Sequence, residues 1–171
     1  IDIDTLSAII EVTKITNARG ALPALNDSSI QWLNAGDELD ALVTFNEPVF
    51  LNLTSGSPTL ALTVGTETVS AQYVSGSGTK SLVFSAIVAA GQNDSNGVAL
   101  ALNALSLNGA TLKDANGNNA TLTSTAVTDN AKYLVDTTAP SLTITSSSAA
   151  LSTGETATIT FSFSEDPGSS F

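Results

Sequence analysis

The side chains best suited to chemistry in this chain are oxygen donors set in glycine-rich turns. Asp114, Asn116 and Asn118 stand at alternate positions with Gly117 among them. A hard cation such as Ca²⁺ takes roughly six to eight oxygens from carboxylates, side-chain amides and backbone carbonyls, and such a turn offers several at once. The spacing is not that of an EF-hand, because the downstream bidentate Glu is missing. The competing reading is a hairpin turn in which Asn-Gly supplies positive φ. Asp94-Ser95-Asn96-Gly97 admits the same two readings, with the turn the stronger.

Covalent and acid–base catalysis have little to work with. The 171 residues include no His, no Cys and no Met, so the usual base–nucleophile pairs are absent. Lys80 and Ser81 are adjacent, and neighbours on a strand face opposite sides, which argues against a dyad. Two carboxylates could serve a glycosidase, but any acidic domain offers such pairs. The single Trp, Trp32, suits a core or a joint better than a sugar platform. The sequence therefore predicts a protein that is not an enzyme. Asn-X-Ser/Thr triplets at Asn26, Asn52, Asn93 and Asn119 are what a chain with 45 Ser and Thr produces by chance.

Charge narrows the partners. Sixteen acids against five bases give a net charge of −11, and Lys14, Arg19, Lys80, Lys113 and Lys132 are scattered. Phosphate recognition needs clustered Lys or Arg, so nucleic acid is disfavoured. Runs such as Ile87-Val88-Ala89-Ala90 are far too short to span a bilayer. The chain opens on Ile1 with no visible signal peptide, which reads as a processed or excised piece.

The elements that must position these residues are strands. From Leu39 the period is two, with Leu39, Ala41, Val43 and Phe45 pointing one way. Pro48 marks a bend or an edge. Leu60, Leu62 and Val64 form the next inward row, Gly65-Thr66 a tight turn, and Val69, Ala71 and Tyr73 the return. Leu82, Phe84, Ala86 and Val88 continue the meander beyond a looser turn at 75–79. Val98, Leu100 and Leu102, then Leu105 and Leu107, form a row whose alternation slips near Asn103-Ala104, which predicts a bulge or a change of sheet. No stretch keeps helical spacing. The class is all-β, most simply a two-layer sandwich.

One pattern occurs twice, 118 residues apart. Leu33-Asn34-Ala35-Gly36-Asp37 leads into Phe45-Asn46-Glu47, and Leu151-Ser152-Thr153-Gly154-Glu155 leads into Phe163-Ser164-Glu165, without a gap. Repetition at fixed period signals an array. Asp136-Thr137-Thr138-Ala139-Pro140 reads as the boundary, with Leu142-Thr143-Ile144 opening the next module. The expected organisation is a lead segment or end of a preceding module at 1–12, a sandwich module at 13–135, and a linker with an incomplete second module at 136–171.

Several of these runs resemble the bacterial Ig-like repeats of large type I secreted surface adhesins, the RTX or biofilm-associated adhesins. They are Val43-Thr44-Phe45-Asn46-Glu47-Pro48-Val49, Tyr73–Thr79, Ala90–Asp94, Leu105–Gly109, Asp114–Asn118 and Asp136–Pro140, in that order. The resemblance spans roughly 33 to 171. It implies immunoglobulin-like β-sandwich modules strung end to end on the bacterial cell surface, stiffened by structural Ca²⁺ at their junctions. It also implies that the strand-end Glu47 and Glu165 and the linker Asp136 can share such an ion. The implied partners are neighbouring modules and a host or biofilm surface ligand, with a strand-swapped dimer through 141–171 as a further option. A glycan- or peptide-binding module, through loops before Trp32 or around 93–97, and an accessory domain of a secreted hydrolase are the alternatives to a structural extender.

Overall fold

The computed structural model describes residues 5–20, 22–24 and 27–165. Asn26, one of the chance glycosylation triplets, lies outside them. Every regular element among the described residues is a strand. The chain divides into two compact units, 1–137 and 138–171.

Unit 1 is built on one large sheet whose strand order is β1-β4-β7-β6-β5-β8-β10, with β9 added to the far half of β4. The strands are β1 (Ile10–Arg19), β4 (Glu38–Asn52), β5 (Thr59–Val64), β6 (Glu67–Ser75), β7 (Thr79–Ile87), β8 (Val98–Ser106), β9 (Thr111–Asp114) and β10 (Val127–Asn130). A smaller sheet, in the order β11-β3-β2, joins β2 (Leu22–Ala24), β3 (Asp27–Leu33) and β11 (Tyr133–Val135). β11 runs parallel to β3, whereas β3 and β2 are antiparallel. β1 and β10, at opposite ends of the strand order, touch, so the large sheet folds over on itself. The result is an all-β, sandwich-like arrangement around one core.

The core follows from the two-residue period. Leu39, Ala41, Val43 and Phe45 are inaccessible, and they meet Leu60, Leu62, Leu82, Phe84, Val98 and Leu100 in one cluster. Leu33, Tyr133 and Val135 bring the smaller sheet into that cluster. Burying a Leu or Phe side chain contributes about 1.5–3 kcal/mol each, so this one row largely fixes the pairing register. The lead segment also feeds the core: Ala8 is fully buried and β1 starts at Ile10.

Local chemistry explains the departures from regular pairing. At Gly65, φ is 57°, and Val64 pairs with Glu67 across it, as a two-residue turn with Gly in first place requires. The β4–β7 register jumps from Thr44↔Ser81 to Val49↔Thr79, where β9 joins the other edge of β4 at Val49↔Asp114, so Asn46-Glu47-Pro48 forms an irregular stretch between two regular pairings. The predicted slip in β8 is a bulge. Its register with β5 jumps from Leu60↔Leu105 to Leu62↔Leu100, and Asn103 takes φ 55°. That bulge corrects one expectation, since Leu102 is turned outward and is 63% exposed.

Unit 2 is a two-stranded antiparallel sheet of β12 (Leu142–Ser146) and β13 (Ile159–Phe163). Ile144 pairs with Phe161, Thr145 with Thr160 and Ser146 with Ile159. In unit 1, β1 and β4 pair Thr13 with Val43, Lys14 with Leu42 and Ile15 with Ala41. The 118-residue repeat superposes Val43 on Phe161 and Ala41 on Ile159, so β12–β13 matches the central pairs of β1–β4, without the register shifts that β1 carries at Ile10/Val12 and Ile15/Asn17.

Candidate metal sites and the repeated turn

The repeated Leu-x-x-Gly-acid motif folds into one turn in both units. In unit 1 the Asp37 N–H donates to Asn34 O at 3.1 Å, and the Asn34 N–H donates to Asp37 Oδ2 at 2.7 Å. In unit 2 the Glu155 N–H donates to Ser152 O at 3.1 Å, and the Ser152 N–H donates to Glu155 Oε2 at 2.7 Å. Gly36 and Gly154 have φ 95° and 90°, the third-position value of a type II turn, which is why both are glycines. The acid's conserved geometry is a role that sequence left unassigned: its carboxylate closes the turn on its own backbone. The Phe-x-Glu end repeats as well. Asn46 N–H bonds Ile9 O and its Oδ1 accepts from the Ile9 N–H; Ser164 N–H bonds Ser141 O and its Oγ accepts from the Ser141 N–H.

Asp114 lies in a turn at the end of β9 and is buried. Its Oδ1 accepts from the N–H groups of Asn116 and Asn118, both at 2.9 Å, and its Oδ2 from Asn118 Nδ2 at 2.7 Å. Burial alone would raise its pKa. The bonds from the Asn118 side chain and from the Asn118, Asn116 and Gly117 N–H groups outweigh that and hold the carboxyl below its ordinary value. Both oxygens thus serve their own turn, and a cation at 114–118 would have to displace N–H donors from them. Gly117 supplies positive φ here, but Asn116 does not; the Asn-Gly pair with both residues at positive φ is Asn108-Gly109. Asn118 Nδ2 also reaches Leu6 O at 3.1 Å, tying this turn to the segment before β1.

Asp94 is a second buried carboxylate organised by backbone donors. Oδ2 accepts from the Gly65 N–H at 2.8 Å, and Oδ1 from Gly97 at 2.7 Å and Asn96 at 3.2 Å. Its own N–H and C=O pair with Val135, at 2.7 and 2.9 Å. One residue therefore joins the β5–β6 turn, the 94–97 loop and β11. The Asp-x-x-Gly spacing shows the local turn. The bond to Gly65 joins segments distant in sequence, and nothing in the local pattern signals it.

A third network lies on the outward face of β1, β4 and β7. Arg19 Nε donates to Glu38 Oε2 at 2.9 Å, a second guanidinium nitrogen contacts Glu38 Oε1, and that nitrogen reaches Asp40 Oδ1 at 3.1 Å. Ser85 Oγ donates to Glu38 Oε1 at 2.7 Å. The Ser85 bond, then the Arg19 bond, lower the Glu38 pKa, and the Glu38 bond raises that of Arg19. Of these residues the sequence singles out only Arg19, as one of five scattered bases, because their meeting depends on the β1–β4–β7 register.

Among the described residues no three acidic side chains gather in a group that could hold a metal ion. Glu47 sits in the irregular stretch of β4 between Thr44 and Val49, and Asp136 extends the β3–β11 ladder by donating its N–H to Leu33 O at 3.0 Å. In unit 2, Glu165 Oε1 is buried and without a hydrogen-bond partner. An orphaned carboxylate oxygen is the kind of group a cation satisfies.

Residues 136–169 match a family model described as a bacterial Ig-like domain. Neither the curated proteins nor the solved structures give a significant match to the chain.

Proposed function

We propose that the chain is a stretch of a modular bacterial surface protein, an extender of the adhesin type in which successive sandwich modules hold a binding region away from the cell. The observation that carries this reading is the recurrence of one frame. The same strand pair, the same acid-closed turn and the same polar cap occur in both units, as expected when a module is repeated along a filament. The family match to residues 136–169 supports an extracellular setting and a non-catalytic role. The immediate partners are then the neighbouring modules.

Calcium belongs to the proposal as a structural ion, with Glu47, Asp136 and Glu165 as separate candidate oxygen donors. The orphaned Glu165 oxygen supports that choice over the 114–118 turn, whose carboxylate is already committed. Bound there, the ion would neutralise acids that otherwise repel one another and would restrict the joint. Small-angle scattering of the chain in calcium and in chelator tests this. A more extended profile in calcium, reversed by chelator and lost in Glu165→Gln, is expected; superimposable profiles would remove the ion from the reading. Saturable binding of a glycan or peptide to the chain would replace the spacer role with recognition.

A further inference from the structure

The polar caps fix an equivalence that the 118-residue repeat alone does not. Ile9 exchanges two bonds with Asn46 as Ser141 does with Ser164, and Ile10 pairs with Phe45 as Leu142 pairs with Phe163. Ahead of the strand pair the two units are therefore offset by 132 positions, with 141 set against 9. Counting back without a gap sets Asp136-Thr137 on Asp4-Thr5, the same two residues at both places. The lead segment of unit 1 stands where the linker stands before unit 2.

The two ends of unit 1 hold complementary halves of that linker. At the exit, Val135 exchanges both backbone bonds with Asp94, and the Asp136 N–H donates to Leu33 O. The Thr137 N–H donates to Asn93 Oδ1 at 2.8 Å, while Thr137 Oγ1 accepts from the Gly91 N–H at 2.9 Å. At the entrance, Leu6 O accepts from Asn118 Nδ2 at 3.1 Å and Ala8 O from the Thr121 N–H at 2.8 Å. Ile9 is bonded to Asn46 through both of its backbone groups, and Ala8 is small enough to be wholly buried against the core. Thr137 corresponds to Thr5. The last linker residue gripped at the exit thus directly precedes the first one gripped at the entrance, Leu6.

We infer that the entrance of unit 1, formed by Asn46, Asn118 and Thr121, is a receiving surface for the linker of a preceding module of the same kind. Consecutive modules then share one Asp-Thr linker, gripped at its start by the module behind and from the next residue on by the module ahead. This rests on the modular reading but not on the ion. A hinge needs residues that can absorb changes in φ and ψ, and a linker gripped from both sides leaves almost none. Stiffness comes from hydrogen bonds at each end, and an ion would add to it without creating it.

Amide exchange of the whole chain, with chelator present, tests both grips. The Gly91, Thr137 and Ile9 amides should be protected in the parent. Asn93→Ala should speed exchange at Thr137 about five- to tenfold, the effect of one lost hydrogen bond, and leave Ile9 unchanged; Asn46→Ala should do the reverse. Thr137→Val cannot accept from Gly91 and should speed exchange there by a similar factor. Exchange at Thr137 and Gly91 as fast as in an unstructured peptide, or no response of Thr137 to Asn93→Ala, overturns the shared linker. So does protection that is present in calcium and lost in chelator, which would assign the grip to an ion. Absence of the β12–β13 cross-strand contacts from the NMR spectrum would remove the repeated frame, and both the modular reading and the shared linker would fall.

Discussion

β1–β4 and β12–β13 are the same strand pair in two environments. Their registers agree over the central pairs, their turns share two hydrogen bonds of matching length, and their ends share a polar cap. Burial separates them. Val43 and Phe45 are inaccessible, whereas Ile144, Ile159 and Phe161 are each half or more exposed. In unit 1 the inward row of β4 faces β5, β7 and β8, and β9 extends its edge. In unit 2 the row Leu142, Ile144, Ile159, Phe161 is only partly buried. Local sequence therefore specifies pairing and turn geometry, while the stability of the pair comes from the layer packed against it. A two-stranded sheet by itself is marginal in water, so β12 and β13 gain little stability from their mutual pairing alone.

The sharpest way to break this comparison is to remove an aromatic ring from each of the two inward rows. Phe45→Ala deletes a fully buried ring and should destabilise unit 1 by about 3–5 kcal/mol. Phe161→Ala deletes a half-exposed ring and should leave the main unfolding transition within about 0.5 kcal/mol of the parent. Denaturant melts followed by Trp32 fluorescence read unit 1 in both variants. A loss of several kcal/mol in Phe161→Ala would mean that unit 2 shares the core cooperativity of unit 1.

Asp94 has no counterpart among the described residues of unit 2, and it sharpens the contrast from the other side. Asp94→Ala leaves three backbone N–H groups without their acceptor, that of Gly97 buried and those of Gly65 and Asn96 part-buried. We expect a loss of roughly 2–3 kcal/mol, since each orphaned buried donor costs about 1–3 kcal/mol and partial rehydration offsets some of it. Hydrogen exchange should show the amides of Gly65, Gly97 and Val135 losing protection together, as members of one junction. Loss confined to Gly97 would reduce Asp94 to a local turn-former.

How much of this was legible beforehand follows the range of each interaction. The row Leu39–Phe45, the Gly65 turn and the β8 slip are local patterns, and all three stand in the structure as the two-residue period predicts. Leu102 was misplaced because the alternation was carried through the start of the bulge instead of being broken before it. The site was less legible. Asp114 and its two asparagines carry the spacing of oxygen ligands, yet the same spacing suits a carboxylate that collects its own turn's N–H groups. Which use prevails depends on which way the carboxylate points, and composition does not encode that. The Arg19–Glu38–Asp40 network and the Asp94–Gly65 bond were invisible because they depend on pairing between segments far apart in the chain.

The smallest predicted effect isolates the turn itself. Gly36 and Gly154 share nearly the same positive φ, and neither has a neighbour within 4 Å of where a Cβ would stand. Substitution by Ala thus imposes one backbone penalty in both places, about 1 kcal/mol for an L residue held in the left-handed region, with no steric term to confuse it. In Gly36→Ala that penalty should appear in full as lowered stability of unit 1, because the turn leads directly into the buried row at Leu39. In Gly154→Ala the same penalty should leave the main transition unmoved and surface only as faster amide exchange in β12 and β13. Equal shifts of the main transition in the two variants would show that the units unfold together, and the distinction between a turn anchored by a core and one without would fall.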